Sequence, residues 1–525
     1  MAGLLDFDAR RLADLVDELG IEKAWLRILA THIQGLKSFK YILATETFRD
    51  IKPLDENLIE GLSIGEIGVL YEYCVSHIDP DSRKENGQFF TPDDVARFMV
   101  EQAGTLGKGR WLDPCAGIGN LSWHLVNAQK DKEEFLISSM VLSDRDGLAL
   151  QIARVLFAVS FQKNHPRLYD EIASNFVQFD FLSVASSGDP DLFNANELEG
   201  IPDHDFVIVN PPYLALKRPD PRFETARASD LYAYFLENII KTSKGFVSVT
   251  PQSFTNAAKF EPLRRLLLRF EALTIFNFDN IPGNVFHGIK FGSRNSNKAN
   301  SIRVAITVAS EQSGEQRITS LLRWKTQERF QLFAKAQQFL SKPALTPEYF
   351  PKVSSVFASL YQETRGYPTL SKILVNRTTV YQLFVPAAPR YYISALKAPA
   401  SRSSQKVLNF KSEADLNRAY LLLNSSFAYW WWRVRDGGMT LSLETIRSLP
   451  LLEFETSNDL VGALEESERA NRTFKMNAGA AQENVKHPLE LVDKLNAIVV
   501  PRYRTEVLST HQNSELVQLD FLRAS

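Results

Sequence analysis

The chain has 525 residues, 44% of them hydrophobic and 23% charged. This globular composition excludes collagen-like and wholly disordered readings and leaves room for two or three cores. The formal net charge of −2 hides an asymmetry: between Leu321 and Phe410 there are 13 Lys and Arg against 3 Asp and Glu, near +10. A basic block inside a near-neutral chain is the electrostatic footprint expected for a polyanion. Two distant cysteines, Cys74 and Cys115, make no disulfide framework and fit a reduced, cytoplasmic protein. The start, Met1 to Asp6, becomes charged too early for a signal peptide, and no apolar run approaches a membrane span.

Residues 1–82 read as an N-terminal helical region. Leu12, Leu15, Val16 and Leu19 recur at helical spacing, as do Ile64, Ile67, Leu70 and Tyr71; no catalytic cluster is evident there. Residues 83–315 alternate short apolar runs with amphipathic stretches. Strands are expected at Trp111-Leu112, Val141-Leu142, 206–209 and 246–249, and helices over 120–129, 147–161, 231–243 and 260–269. Such alternation predicts a doubly wound α/β sheet, with ligands at the carboxyl ends of its strands. From 316 to 525 the pattern is irregular, basic and aromatic, and reads as a separate α+β recognition domain.

The sharpest local signal is Asn210-Pro211-Pro212-Tyr213, directly after the strand at 206–209. The prolines stop the strand and stiffen the turn, leaving backbone carbonyls with no strand neighbour. An Asn side-chain oxygen beside a fixed carbonyl makes two acceptors, which suit a planar amine bearing two hydrogens. Such an amine, the exocyclic nitrogen of adenine for example, is a poor nucleophile while its lone pair is delocalised into the ring. Accepting both hydrogens favours the pyramidal, attacking form, and preorganised dipoles of this kind are a large catalytic term. Tyr213 can stack on the base.

Upstream, Asp113-Pro114-Cys115-Ala116-Gly117-Ile118-Gly119-Asn120 links an expected strand to a helix. Gly117 and Gly119 allow close backbone approach to a ligand, while the missing third glycine argues against a dinucleotide. Asp144 and Asp180 are expected at the ends of the next strands, where carboxylates suit ribose hydroxyls and an adenine amine. Gly87 to Asp94 reads as a helix start, with Thr91 at the N-cap and Pro92 at the first helical position. No His/Cys cluster with metal-ligand spacing occurs. Only Glu328, Glu348 and Glu363 fall in the basic stretch, each isolated, so neither a metal nor a Mg²⁺-dependent nuclease centre is expected there.

Together these residues resemble the gamma class of N6-adenine DNA methyltransferases, found in restriction–modification systems and as solitary enzymes. The resemblance implies a Rossmann-like domain dependent on S-adenosyl-L-methionine. Arg83 to Pro92, including Phe90, Thr91 and Pro92, is similar to the motif that helps bind the methionine end of that cofactor. Asp113, Pro114, Ala116, Gly117 and Gly119 resemble the cofactor glycine loop. Asp144 matches the ribose-binding acid, Asp180 the acid at the cofactor adenine, and Asn210–Tyr213 the catalytic tetrapeptide. Asp230 to Phe235 is similar to the next motif. Asn284-Val285-Phe286, ahead of a strand at 302–308, resembles the segment whose aromatic stacks on the flipped base, although Lys290, Arg294 and Lys298 lie in a longer polar loop than usual. Residues 419–426 and Tyr429 to Trp432 resemble the family's recognition domain, the tryptophans themselves reading as core; Gly437 to Thr440 is a candidate loop near DNA.

The expected partners are double-stranded DNA and a cognate restriction endonuclease, with no membrane. A monomer is the expected state, a dimer being left open. The alternatives are an RNA adenine-N6 methyltransferase, a protein glutamine methyltransferase and a non-catalytic DNA-binding subunit.

Overall fold

The computed structural model describes residues 2–78, 91–183, 200–280, 283–286, 302–325, 328–389, 392–402, 404–436, 440–477 and 480–510. Phe90 with the rest of 79–90, Lys290, Arg294, Lys298 and Gly437 to Met439 lie outside the described residues. The chain divides into two compact units, one holding residues 1–254, 258–280 and 284–316, the other 255–257, 281–283 and 317–525. Among the described residues no helix is long and apolar enough to cross a membrane.

The first unit opens with helices α1 (Ala2–Leu19), α2 (Ile21–Gln34), α3 (Ile64–Ile78) and α4 (Asp93–Ala103). There follow β1 (Trp111–Asp113), α5 (Asn120–Asn127), α6 (Lys132–Ser138), β2 (Met140–Asp144), α7 (Gly147–Phe161), α8 (Leu168–Glu171), β3 (Phe176–Gln178) and β4 (Phe206–Val209). Next come α9 (Leu231–Thr242), β5 (Gly245–Pro251), α10 (Glu261–Leu267), β6 (Ala272–Phe278) and β7 (Val304–Ser310). Within this unit the strands run in the order β3-β2-β1-β4-β5-β7-β6. The pairs β3–β2, β2–β1, β1–β4 and β4–β5 are parallel, and β7 is antiparallel to both β5 and β6. This is a Rossmann-like α/β architecture. Every residue of β1, β2, β4 and β7 is buried, as a parallel-dominated sheet covered on both faces requires. The sequence order reverses between β1 and β4, the place where such sheets bind ligands.

Two placements differ from what the sequence suggests. First, the N-terminal helical region falls in the same compact unit as the sheet. Tyr41 donates to Gln162 Oε1 at 3.0 Å and accepts from the backbone N–H of Tyr169 at 3.2 Å. Tyr71 of α3 donates to Asp146 Oδ2 at 2.5 Å. Second, β3 ends at Gln178, so Asp180 lies two residues beyond the strand, in an exposed turn closed by its Oδ1 accepting from Leu182 N.

In the second unit β8 (Gln316–Leu322) pairs antiparallel with β9 (Leu340–Ser341). The helices α11 (Arg329–Ala336) and α12 (Ala358–Thr364) precede a three-stranded antiparallel sheet of β10 (Leu374–Val375), β11 (Gln382–Pro386) and β12 (Gln405–Phe410), with β12 central. Helices α13 (Glu413–Asn424) and α14 (Ser426–Arg435) carry its core. Trp430, Trp431 and Trp432 are all buried in it: Trp430 packs against Phe357 and Phe427, Trp431 against Tyr361 and Trp432 against Tyr429. The basic block is only partly available to a partner. Lys352 is buried, Arg323 donates to the Tyr429 hydroxyl, Lys397 pairs with Glu465, and the half-buried Arg402 donates to Gln405. Lys325, Lys342, Arg365, Lys372 and Arg377 are exposed.

Gly119 is the N-cap of α5 at φ 86°, and a Cβ there would stand 2.7 Å from the Phe157 ring and 2.9 Å from Leu142. It therefore serves the close approach of α5 to β2 and α7. Gly119→Ala is expected to cost about 1–3 kcal/mol through overpacking and left-handed strain; chemical denaturation reads this as a lower midpoint at unchanged slope.

Candidate active site

The site is built at the carboxyl ends of β1, β2 and β4. Asp113 closes β1, Asp144 closes β2, and Asn210 follows the last residue of β4. They border a cavity of about 470 Å³, within the range that encloses a cofactor-sized ligand. Thr91, Pro114, Ala116, Gly117, Asp180 and Pro212 also line it; Gly119 does not.

Its floor is rich in carboxylate. Asp113 is 2% exposed; Oδ2 accepts from Ser122 Oγ at 2.8 Å, while Oδ1 is buried with no hydrogen-bond partner among the described residues. Burial pushes this carboxyl up to about 7 against the weaker opposing bond from Ser122. Asp144 Oδ2 accepts from Gly117 N at 2.8 Å and Oδ1 from Asp146 N at 2.9 Å. Burial raises its pKa too, and its remaining lone pairs leave room for hydroxyl donors. Gly117, at φ 54°, has open space where a Cβ would stand, as a backbone meeting a ligand needs. Asn120 donates to the Thr91 carbonyl at 2.8 Å and keeps a buried Oδ1 with no partner among the described residues. A ligand bearing an ammonium, a sulfonium and a ribose diol fits this donor set.

Asn210 sits at the rim. Its Nδ2 donates to Thr91 Oγ1 at 2.9 Å, and its Oδ1 accepts from the Tyr213 hydroxyl at 2.7 Å. That hydroxyl also approaches the Val249 carbonyl at 2.9 Å, so a single proton is shared between two oxygens. Cys115 donates to the Asn210 carbonyl at 3.2 Å. The helix start at 91–94 is corrected accordingly: Pro92 is the N-cap, helix begins at Asp93, and Thr91 is 5% exposed. The Thr91 hydroxyl orients Asn210 instead of capping a helix. Pro211 is buried under the turn. Phe286 is 3% exposed, its ring 6.1 Å from that of Tyr213 at 61°.

Several lining residues had no sequence signal. Gly68, Tyr71, Glu72 and Val75 of α3 reach the cavity. Asp146 caps α7 by accepting from Leu148 N and Ala149 N, and it takes the Tyr71 hydroxyl. An Asp ahead of a Gly and an apolar helical run is a recognisable cap; the reach of α3 is purely tertiary.

Two family models match the segment that holds this site. Residues 63–152 match the family model described as N-6 DNA Methylase, and residues 139–286 match the Eco57I restriction-modification methylase model. The Type II methyltransferase M.PstI of Providencia stuartii is 26% identical over 211 residues, 38% of this chain. The match spans 39% of that relative's length. Among solved structures, the DrdV–DNA complex aligns with 74% of this chain and 44% of that one, at TM-score 0.44 and 15% identity. The type IIG restriction endonuclease BpuSI aligns with 95% and 78%, at 0.42 and 11%.

A buried carboxyl whose pKa is raised is most stabilising when protonated, so the contribution of Asp113 to stability is expected to fall as pH rises from about 4, the unfolded value, towards about 7. Asp113→Asn should flatten that segment of the denaturation profile. An unchanged profile would mean that Asp113 titrates normally.

Proposed function

We propose that this chain, whose residues 63–286 carry the N6-adenine methylase segment of restriction–modification enzymes, methylates DNA. The methyl passes from S-adenosylmethionine to N6 of an adenine turned out of duplex DNA. The observation that carries this reading is Asn210-Pro211-Pro212-Tyr213 at the carboxyl end of β4, on the rim of a cavity floored by Asp113 and Asp144. When bound, S-adenosylmethionine supplies an electrophilic methyl on a sulfonium centre. Asp113, Pro114, Ala116 and Gly117 would hold its amino-acid end, with Thr91 and Asn210 alongside. Asp144 would take the ribose hydroxyls, and Asp180 the adenine amine.

The rest is work for the chain's own groups. An amine inside a base pair is out of reach, so the target base must leave the stack. Tyr213 and Phe286 present neighbouring rings for it. Asn210 Oδ1 and the Pro211 carbonyl accept the two N6 hydrogens, returning the lone pair to nitrogen at the point of attack. Thr91 fixes which end of the amide is the acceptor by taking Nδ2. Placing amine and methyl donor in line supplies much of the remaining rate. The second unit supplies target recognition, its exposed lysines and arginines meeting phosphates.

Asn210→Ala is expected to lower methyl transfer about 10²–10³-fold while leaving S-adenosylmethionine affinity nearly intact. Tritium transfer to DNA and calorimetry read the two separately. Thr91→Val, which keeps the shape and removes the hydroxyl, should lower kcat by about 2- to 10-fold, the worth of one orienting hydrogen bond. Substantial transfer by Asn210→Ala would overturn the catalytic assignment. In Phe286→Ala, base extrusion followed by 2-aminopurine fluorescence should weaken more than duplex binding, since base stacking is worth about 1–3 kcal/mol.

A further inference from the structure

The segment leaving the tetrapeptide, residues 214–230, is a pinned loop with two distinct sides. Its two ends pair with each other: Leu216 N donates to Ser229 O at 2.8 Å and Leu231 N to Leu214 O at 2.9 Å. Ser229 holds a left-handed φ of 47°, the one non-glycine residue to do so among the described residues. Two residues of α9, one turn apart, fasten the middle. Glu237 is fully buried and accepts from Glu224 N, Thr225 N and Thr225 Oγ1 at 2.8–3.0 Å. Tyr234 stacks on Phe223 at 4.4 Å and 4°, while its hydroxyl donates to Ala226 O and accepts from Asp220 N. Leu216, Asp220, Arg222 and Phe223 line the cavity.

The charges divide as the sides do. Asp220 is held by Arg222 at 2.7 Å and Glu224 by Lys241 at 2.7 Å, while Asp230 is half-buried. Lys217, Arg218 and Arg227 are exposed and form no ion pair with any described residue. A solvated face needs no such anchoring. Here a buried, fully bonded carboxylate and an aromatic stack hold three uncompensated cations in place, on a loop that begins at the catalytic turn. From this geometry we infer that residues 214–230 form a phosphate clamp, in which Lys217, Arg218 and Arg227 grip the DNA backbone beside the target nucleotide. The inference rests on the DNA methyltransferase reading above. It adds a second contact surface, within the first unit, whose task is to fix register at the flipped base.

The test uses the full chain and an unmodified duplex oligonucleotide, with affinity measured across a salt series. Each phosphate neutralised contributes about −0.9 to the slope of log affinity against log salt. The combined variant Lys217→Gln, Arg218→Gln, Arg227→Gln should therefore flatten the slope by about 2.7, with S-adenosylmethionine affinity and unfolding midpoint unchanged. Restoring Lys217 in that variant should recover about one third of the loss. Lys108 and Lys130 are exposed near the amino ends of the strands, and their paired change to Gln should leave the slope as it was. A folded triple variant with the wild-type slope overturns the clamp while leaving the methyltransferase reading intact. A wild-type chain that fails to bind duplex DNA, or that binds only single-stranded RNA, overturns both.

Discussion

The amide of Asn210 is fixed from both ends. Thr91 takes its nitrogen and Tyr213 gives a proton to its oxygen, and the two hydroxyls come from segments 119 and 3 residues away in sequence. An amide free to rotate would present donor and acceptor alternately to an incoming amine; this one presents an acceptor. The constraint needs the turn at Pro211-Pro212 to hold Tyr213 against the end of β5. It also needs the chain before α4 to bring Thr91 across the top of the sheet. Asn120 fastens that chain by donating to the Thr91 carbonyl, so the glycine loop after β1 and the Asn-Pro-Pro-Tyr turn after β4 are tied through one threonine.

The same arrangement explains why so much carboxylate lies beneath. Asp113 and Asp144 are costly to bury as anions, and burial raises both pKa values. A fold that keeps them at adjacent strand ends, one with an unpartnered oxygen, gains from a cationic ligand that satisfies them. The α3 helix closes this space from the amino-terminal side. Its Tyr71 grips Asp146, which caps α7 and donates its backbone N–H to Asp144. The α3 helix thus belongs to the cavity as much as to the core.

What the sequence reveals follows the range of the interactions. Helix α7 spans 147–161 as its apolar pattern predicts, and β4 and the tetrapeptide are legible because strand, prolines and Asn are contiguous. The strand β6, all but one of its residues buried, goes unread because a short apolar run after a helix carries no period of its own. Thr91 reads as a helix cap because a hydroxyl ahead of Pro-Asp-Asp fits one; only its tertiary neighbour Asn210 decides otherwise. Gly117 and Gly119 look alike in sequence and differ in place: one faces open space, the other Phe157 and Leu142. The basic block is visible by counting, but counting cannot tell that Lys352 is buried or that Lys397 is spent on Glu465.

Asn210 and its neighbours are proposed to activate an adenine amine in duplex DNA. The most direct measurement is nucleoside mass spectrometry of duplex DNA incubated with the full chain and S-adenosylmethionine bearing an isotope-labelled methyl group. Labelled N6-methyladenine, confined to one sequence context, is the expected product. Label on cytosine, label found only on RNA or protein glutamine in parallel incubations, or no label at all would contradict it.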